Sequence, residues 1–174
     1  KSFTETPSQI VFVNHFSGGK TGRLDVAVFM GDSDGYLPER CQKVRGESTT
    51  ESLICDITDD GWPELILANN AEMIKDEDPG SFVFKNGPNG LANDPTWKVP
   101  SKHAMGACCA DINRDGFLDL IFCGFTNPEL VICYGTADGF DNANPEHIYM
   151  EHQGVVFHDP RWIHLADLNN DGWL

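Results

Sequence analysis

Positive charge is scarce in this chain. Its 174 residues include 12 Lys and Arg against 27 Asp and Glu, a formal net charge of −15. Such a surface repels phosphate backbones and anionic headgroups, which argues against nucleic acid and anionic membranes as partners. Long apolar runs are missing too, so membrane insertion is not expected. The chain opens on Lys1 rather than Met and shows no signal peptide. It is expected to be a mature protein, a processed product or an excised piece. Redox and zinc spacings are absent: Cys41, Cys55, Cys108, Cys109, Cys123 and Cys133 form no C-x-x-C pair. Five of them stand in apolar runs and read as small buried hydrophobes, with Cys108 and Cys109 pointing to opposite sides of a strand. A secreted chain could carry a disulfide, but the sequence assigns no pairing. Catalytic signatures are also lacking: there is no G-x-S-x-G, H-E-x-x-H, Walker loop or dinucleotide fingerprint. His152, His158 and His164 are spaced by six, which matches no metal-ligand motif, so the histidines read as exposed. An enzyme is not the first expectation.

What is present is one stretch that organises the rest: Asp111-Ile112-Asn113-Arg114-Asp115-Gly116-Phe117-Leu118-Asp119. Oxygen side chains stand at positions 1, 3, 5 and 9, with glycine at 6. Asp111, Asn113, Asp115 and Asp119 offer side-chain oxygens and Phe117 a backbone carbonyl. An all-oxygen set points to a hard cation, and its flexible geometry to Ca²⁺ rather than magnesium or zinc. The pattern returns at Asp56-Ile57-Thr58-Asp59-Asp60-Gly61-Trp62-Pro63-Glu64, giving Asp56, Thr58, Asp60, Trp62 and Glu64 as ligands. It returns again at Asp167-Leu168-Asn169-Asn170-Asp171-Gly172-Trp173-Leu174, giving Asp167, Asn169, Asp171 and Trp173. Glycines at 61, 116 and 172 set a near-constant period, the mark of a repeat architecture. These are not EF-hands, because position 12 is Leu67 or Phe122 instead of Glu.

The flanks of each loop are short apolar runs without helical spacing, which predict the two strands of a hairpin. A second mark also repeats, as Asp34-Gly35, Asn89-Gly90 and Asp138-Gly139, each a turn signal after a strand. One complete unit then reads as inner strand, cation hairpin, second strand, loop, third strand, turn and outer strand. The outer strands are expected near Thr96-Trp97-Lys98-Val99 and His147-Ile148-Tyr149-Met150. Four antiparallel strands per fifty-odd residues describe a propeller blade. Small residues along Gly106-Ala107-Cys108-Cys109-Ala110 suit an inner strand where blades converge. The fold class is therefore all-β, with β-propeller blades of about four antiparallel strands in an incomplete ring. The expected divisions are a short degenerate blade over 1–46, blades over 47–101 and 102–156 with the first and second loops, and the start of another over 157–174. In the first unit, residues 15–25 read as a degenerate cation loop, because Gly22-x-x-Asp25 matches Gly116-x-x-Asp119.

The loops, their strand flanks and their period resemble the FG-GAP/VCBS repeats of integrin-α-type β-propellers. The resemblance is strongest from Ser52 to Leu174. The second loop matches that family's pattern in full, the first departs from it at Thr58 and Glu64, and the third stops before position 9. The resemblance implies a seven-bladed, usually extracellular propeller with calcium loops on one face. Its members include adhesion receptors, lectins and propellers attached to secreted enzymes. It follows that a non-catalytic, calcium-stabilised module binding a protein or a glycan is expected, secreted or on the cell surface, with the remaining blades of the same propeller as partners. The alternative is the propeller domain of a secreted polysaccharide-active enzyme. The aromatic at loop position 7 is expected to pack on a neighbouring blade. Ligand binding is expected on the face opposite the calcium turns, where Asn69–Gly80 is long and acidic, with Arg161, His158 and Trp97 as candidates.

Overall fold

The computed structural model describes residues 9–16, 22–32, 34–71, 78–124 and 127–174. Among these residues every regular element is a strand. Strand β1 is Gln9–Phe12, β2 Arg23–Asp32 and β3 Gly35–Glu47, and they form a three-stranded sheet in that order. The second sheet runs β4 (Thr49–Cys55), β5 (Glu64–Asn69), β6 (Ser81–Phe84) and β7 (Trp97–Val99). The third contains β8 (Ala104–Ala110), β9 (Asp119–Gly124) and β10 (Asn127–Cys133). A two-stranded hairpin of β11 (Gly135–Thr136) and β12 (Gly139–Phe140) follows, and β13 (Glu146–Tyr149) then completes the third sheet beside β10. A last small hairpin pairs β14 (Glu151–His152) with β15 (Val155–Val156). All the pairings are antiparallel, and among the described residues the sheets do not close into a ring.

The apolar pattern explains why the sheets lie face to face. Every residue of β5 is buried, and side chains alternate across a strand. Leu65 and Leu67 enter one core with Val26, Val28, Val44, Phe82 and Phe84. Ile66 and Ala68 enter another, with Val83, Val99, Ala107, Leu120, Phe122 and Val131. The middle sheet thus contributes one face to each core. Burial on both faces is why the middle of the strand, Leu65-Ile66-Leu67-Ala68, has no polar break, with the buried polar Glu64 and Asn69 confined to its ends.

The inner strands are as crowded as their small residues imply. A Cβ added at Gly106 would lie 2.6 Å from the Arg161 carbonyl oxygen, 2.9 Å from Trp162 Cα and 3.0 Å from Cys123 Sγ. Two of those three atoms belong to backbone and cannot swing aside. Gly106→Ala is expected to cost about 1–3 kcal/mol, the range for overpacking, read as a lower urea midpoint with an unchanged slope.

Two expectations change here. The Asp34-Gly35 turn joins β2 to β3, whereas the equivalent turns at Asn89-Gly90 and Asp138-Gly139 lie between the third and fourth strands of their sheets. Strand β2 therefore holds a third-strand place, and the connection before it lies at the end opposite the cation hairpins. The structure confirms that placement: the Ser48 amide donates to the Gly22 carbonyl at 2.7 Å and the Asn70 amide to the Ser48 carbonyl at 3.3 Å. The connection from β1 to β2 therefore does not hold a cation-hairpin place, and residues 17–21, inside the stretch read as a degenerate cation loop, lie outside the described residues. The Gly-x-x-Asp match misled because it is only two residues deep. The other change is at 157–166, where the expected inner strand is not formed. A strand needs a neighbouring strand, and this segment joins no sheet among the described residues.

Candidate metal-binding loops

The three aspartate loops share one backbone. Position 4 is left-handed in each, with φ of 53° at Asp59, 60° at Arg114 and 56° at Asn170. So is the glycine at position 6, with φ of 83° at Gly61, 93° at Gly116 and 88° at Gly172. Glycine meets the second requirement without cost, and Asp and Asn tolerate the first. Two left-handed residues one apart curl the chain so that side chains 1, 3 and 5 gather inside the bend.

Hydrogen bonds hold that curl in the same way each time. Asp111 accepts the Asp115 amide at 3.1 Å and the Gly116 amide at 2.9 Å, one on each oxygen. Asp56 does the same with Asp60 and Gly61, at 3.2 and 2.9 Å, and Asp167 with Asp171 and Gly172, at 3.2 and 2.7 Å. Position 5 accepts the amide of position 7: Trp62 to Asp60 at 2.9 Å, Phe117 to Asp115 at 2.9 Å, and Trp173 to Asp171 at 2.8 Å. The third loop is built like the second although the chain stops before its position 9. The curl is therefore a local product of positions 1 to 7.

Position 9 anchors the loop to the sheet. Asp119 is wholly buried at the start of β9. It accepts the Ile112 amide at 2.9 Å and the Gly135 amide, also at 2.9 Å. Burial, reinforced by the nearby Asp115 and Asp111 charges, pushes its carboxyl above the ordinary range despite those two amides. In the first loop the longer Glu64 takes that place. One of its oxygens accepts the Ile57 amide at 2.9 Å and the Thr58 amide at 3.3 Å. Its other oxygen, Oε1, is buried without a partner, and so is the Thr58 hydroxyl. These are positions 9 and 3 of one loop. Asp60, at position 5, has its carboxyl held below the usual range chiefly by the Trp62 amide, with Lys85 adding to the shift. The nearby Thr58 hydroxyl also contributes electrostatically, without reaching hydrogen-bond geometry.

A buried carboxylate oxygen without a donor, Glu64 Oε1, fits a hard cation in this acidic loop, because nothing else there compensates it. The loops are not preformed cages, however. Among the described residues, no three His, Cys, Asp or Glu side chains converge as a metal cluster. The reason is visible in the bonds above: the carboxylates are turned onto the loops' own amides. In addition, Asn113 Nδ2 donates to Asp115 at 2.9 Å and Asn169 Nδ2 to Asp171 at 2.8 Å, closing positions 3 and 5 on each other.

The aromatics of position 7 are more exposed than expected. Trp62, Phe117 and Trp173 are 44%, 39% and 55% exposed. Trp173 nevertheless meets its neighbour, since the Arg114 guanidinium lies 3.5 Å from its ring centroid. That cation–π contact joins the second and third loops.

The opposite end carries a polar network that sequence reasoning missed. Asp78 accepts four backbone amides: Gly80 at 3.0 Å and His103 at 3.1 Å on one oxygen, Ser101 at 2.9 Å and Lys102 at 3.0 Å on the other. Burial alone would raise its carboxyl, but the four amides outweigh this and hold it below the ordinary value. Asn70 Nδ2 donates to the His103 carbonyl at 2.9 Å, and His103 Nδ1 lies 2.5 Å from the Asn70 carbonyl oxygen. His103 thus has a structural bond, as does His15 with the Ser48 carbonyl oxygen at 3.0 Å, while His147, His152, His158 and His164 are exposed. The ends of the acidic stretch 69–80 are accordingly buried framework, and its middle, 72–77, lies outside the described residues. His158 and Arg161 lie on the exposed segment after β15. Trp97 is not on that end at all. It pairs with Val83 at the turn between β6 and β7, on the cation-loop end, and meets Phe140 edge-on at 6.0 Å.

Antiparallel sheets that share cores and carry hairpin loops at one end define an all-β repeat module. Residues 56–122 match the family model described as an FG-GAP-like repeat, which supports a repeat of that kind in this stretch. The match runs from the start of the first loop, through the second, to the middle of β9. No curated protein matches the chain. Among the described residues no helix is long and apolar enough to cross a membrane.

Proposed function

We propose that the chain is a non-catalytic, extracellular propeller module, stabilised by Ca²⁺ and recognising a protein or a glycan. The observation that carries this reading is the recurrence of one loop, with the same two left-handed positions and the same hydrogen bonds, at one end of successive sheets. Asp111, Asn113, Asp115, the Phe117 carbonyl and Asp119 would hold the ion in the second loop. Asp56, Thr58, Asp60, the Trp62 carbonyl and Glu64 would hold it in the first. Asp167, Asn169, Asp171 and the Trp173 carbonyl would contribute in the third. A bound ion supplies the positive charge that lets these carboxylates sit close together. The remaining blades of the same propeller are the first partners. They would cover Phe12 at one end and Trp162 at the other, which are 57% and 70% exposed.

Calorimetric titration with calcium and magnesium tests the reading. Calcium is expected to bind in preference, most tightly in the second loop, and Asp115→Ala is expected to remove one site and leave the rest. At a Kd of about 10⁻⁴ M, millimolar calcium adds about 1.4 kcal/mol per site, and at about 10⁻⁶ M about 4 kcal/mol. No heat of binding and no shift in melting temperature would reject the calcium role. A glycan array and a panel of cell-surface proteins, probed with calcium present, test the ligand class, and turnover of any bound glycan would favour the enzyme-linked alternative.

A further inference from the structure

The inner strands of the second and third sheets, β4 and β8, lie side by side. The Thr50 hydroxyl donates to the Ala104 carbonyl at 3.0 Å, and the Glu51 carboxylate accepts the Ala107 amide at 2.7 Å. Cys55 and Cys109, each near the loop end of its strand, pack against the same core between the two sheets. Alternation along each strand sends Leu53 and Cys55 of β4, and Ala107 and Cys109 of β8, into one shared core. We propose that Cys55 and Cys109 are a disulfide site, joining the inner strands of two adjacent sheets when the protein meets an oxidising environment.

The two thiols already interact. Their side chains stand close enough for each to perturb the other. The remaining cysteines are placed differently. Burial pushes Cys108 up to about 12, Cys123 to about 11 and Cys133 to about 12. Cys133 also donates to the Pro100 carbonyl at 3.3 Å. Cys41 lies in β3, and the described strands of its sheet hold no second cysteine. The rival pairing is Cys108 with Cys123. Cys123 pairs with Gly106 across β8 and β9, so Cys108 stands two residues along on the same face.

The chemistry is ordinary thiol–disulfide exchange with a small disulfide such as oxidised glutathione. The Cys109 sulfur attacks one sulfur of the reagent, breaks its S–S bond and expels one glutathione thiolate. The Cys55 sulfur then attacks the mixed disulfide and expels the second. Both protein protons end on the released thiols, and the protein pair is oxidised by two electrons as the reagent is reduced. The bond would sit one residue before Asp56 and two before Asp111, clamping the stems of two aspartate loops together. It does not depend on calcium being bound there.

The test is peptide mapping of the full chain after equilibration with oxidised glutathione, run without reductant. The expected product is a single cross-linked peptide pair containing Cys55 and Cys109, lighter by two hydrogens. Melting temperature should rise by roughly 5–10 °C over the reduced protein, the scale for a loop of this length. Cys55→Ser and Cys109→Ser should each abolish the cross-link and the gain. A bridge between Cys108 and Cys123, or six alkylatable thiols after oxidation of a protein whose circular dichroism shows intact sheet, would overturn the proposal. Mapping on the unmodified chain decides it even if a serine variant fails to fold.

Discussion

Replacing Asp78 with Ala is expected to lower the unfolding free energy by about 3–5 kcal/mol. One carboxylate satisfies four amides from two segments, the turn into β6 and the crossover from β7 to β8. Without it those amides lose their acceptor together, in a place where Ser101 is wholly buried. Asp78→Asn keeps one acceptor oxygen and turns an NH₂ toward two donors, so it should cost less, about 2 kcal/mol. The pH dependence has a definite sign. The folded carboxyl is held below its unfolded value, so its contribution is complete above the unfolded value of about 3.9 and is lost as pH falls through the folded one. Stability of the parent should therefore fall in acid more steeply than that of the Ala variant. Urea unfolding at neutral and acid pH measures both effects. Equal midpoints for parent and Ala variant at neutral pH would show that the clasp carries no stability.

The second large effect reverses with conditions. Glu64 is wholly buried and one of its oxygens has no partner. Glu64→Gln retains an acceptor for the Ile57 amide and removes an uncompensated carboxylate. In chelator the variant should be the more stable protein, by about 1–2 kcal/mol. In millimolar calcium the order should invert. The parent gains the binding contribution of the first loop, up to about 4 kcal/mol at a micromolar Kd, and the variant loses that share. Thermal melts of both proteins in chelator and in calcium give four numbers. If the parent were the more stable under both conditions by the same margin, Glu64 would be a framework residue with no link to the ion.

Much of this arrangement is legible in the sequence, and the reason is local chemistry. The glycines at 61, 116 and 172 mark left-handed backbone that glycine adopts most easily, and each aspartate at position 1 reaches amides only four and five residues away. Apolar runs such as Leu65-Ile66-Leu67-Ala68 mark strands buried on both faces. What resists reading is whatever depends on partners distant in the chain. Asp78 ends the acidic run Lys75-Asp76-Glu77-Asp78, and nothing in composition separates it from its neighbours. Three of the four amides it accepts lie more than twenty residues away. Trp97 reads as a ligand candidate on the face opposite the calcium turns, yet it stands at the other end and meets Phe140 of the β11–β12 hairpin edge-on. The place of β2 follows from which hairpin carries the Asp-Gly turn, and a two-residue resemblance at Gly22 and Asp25 pointed the other way. The approach of Cys55 to Cys109 depends on the offset between strands, which no spacing of cysteines reveals.

The alternation of side chains in β5 has a consequence for how the molecule opens. Because Leu65 and Leu67 serve one core while Ile66 and Ala68 serve the next, the repeat in the sequence is not the unit that unfolds. Each sheet is coupled to its two neighbours and to nothing farther away, so stability propagates as in a chain of nearest-neighbour links. An outer sheet has one such link and the middle sheet has two. Amide hydrogen exchange should then be slowest in β5 and β6 and progressively faster toward β1 and toward the segment beyond β15, with the ends opening many times for each opening of the centre.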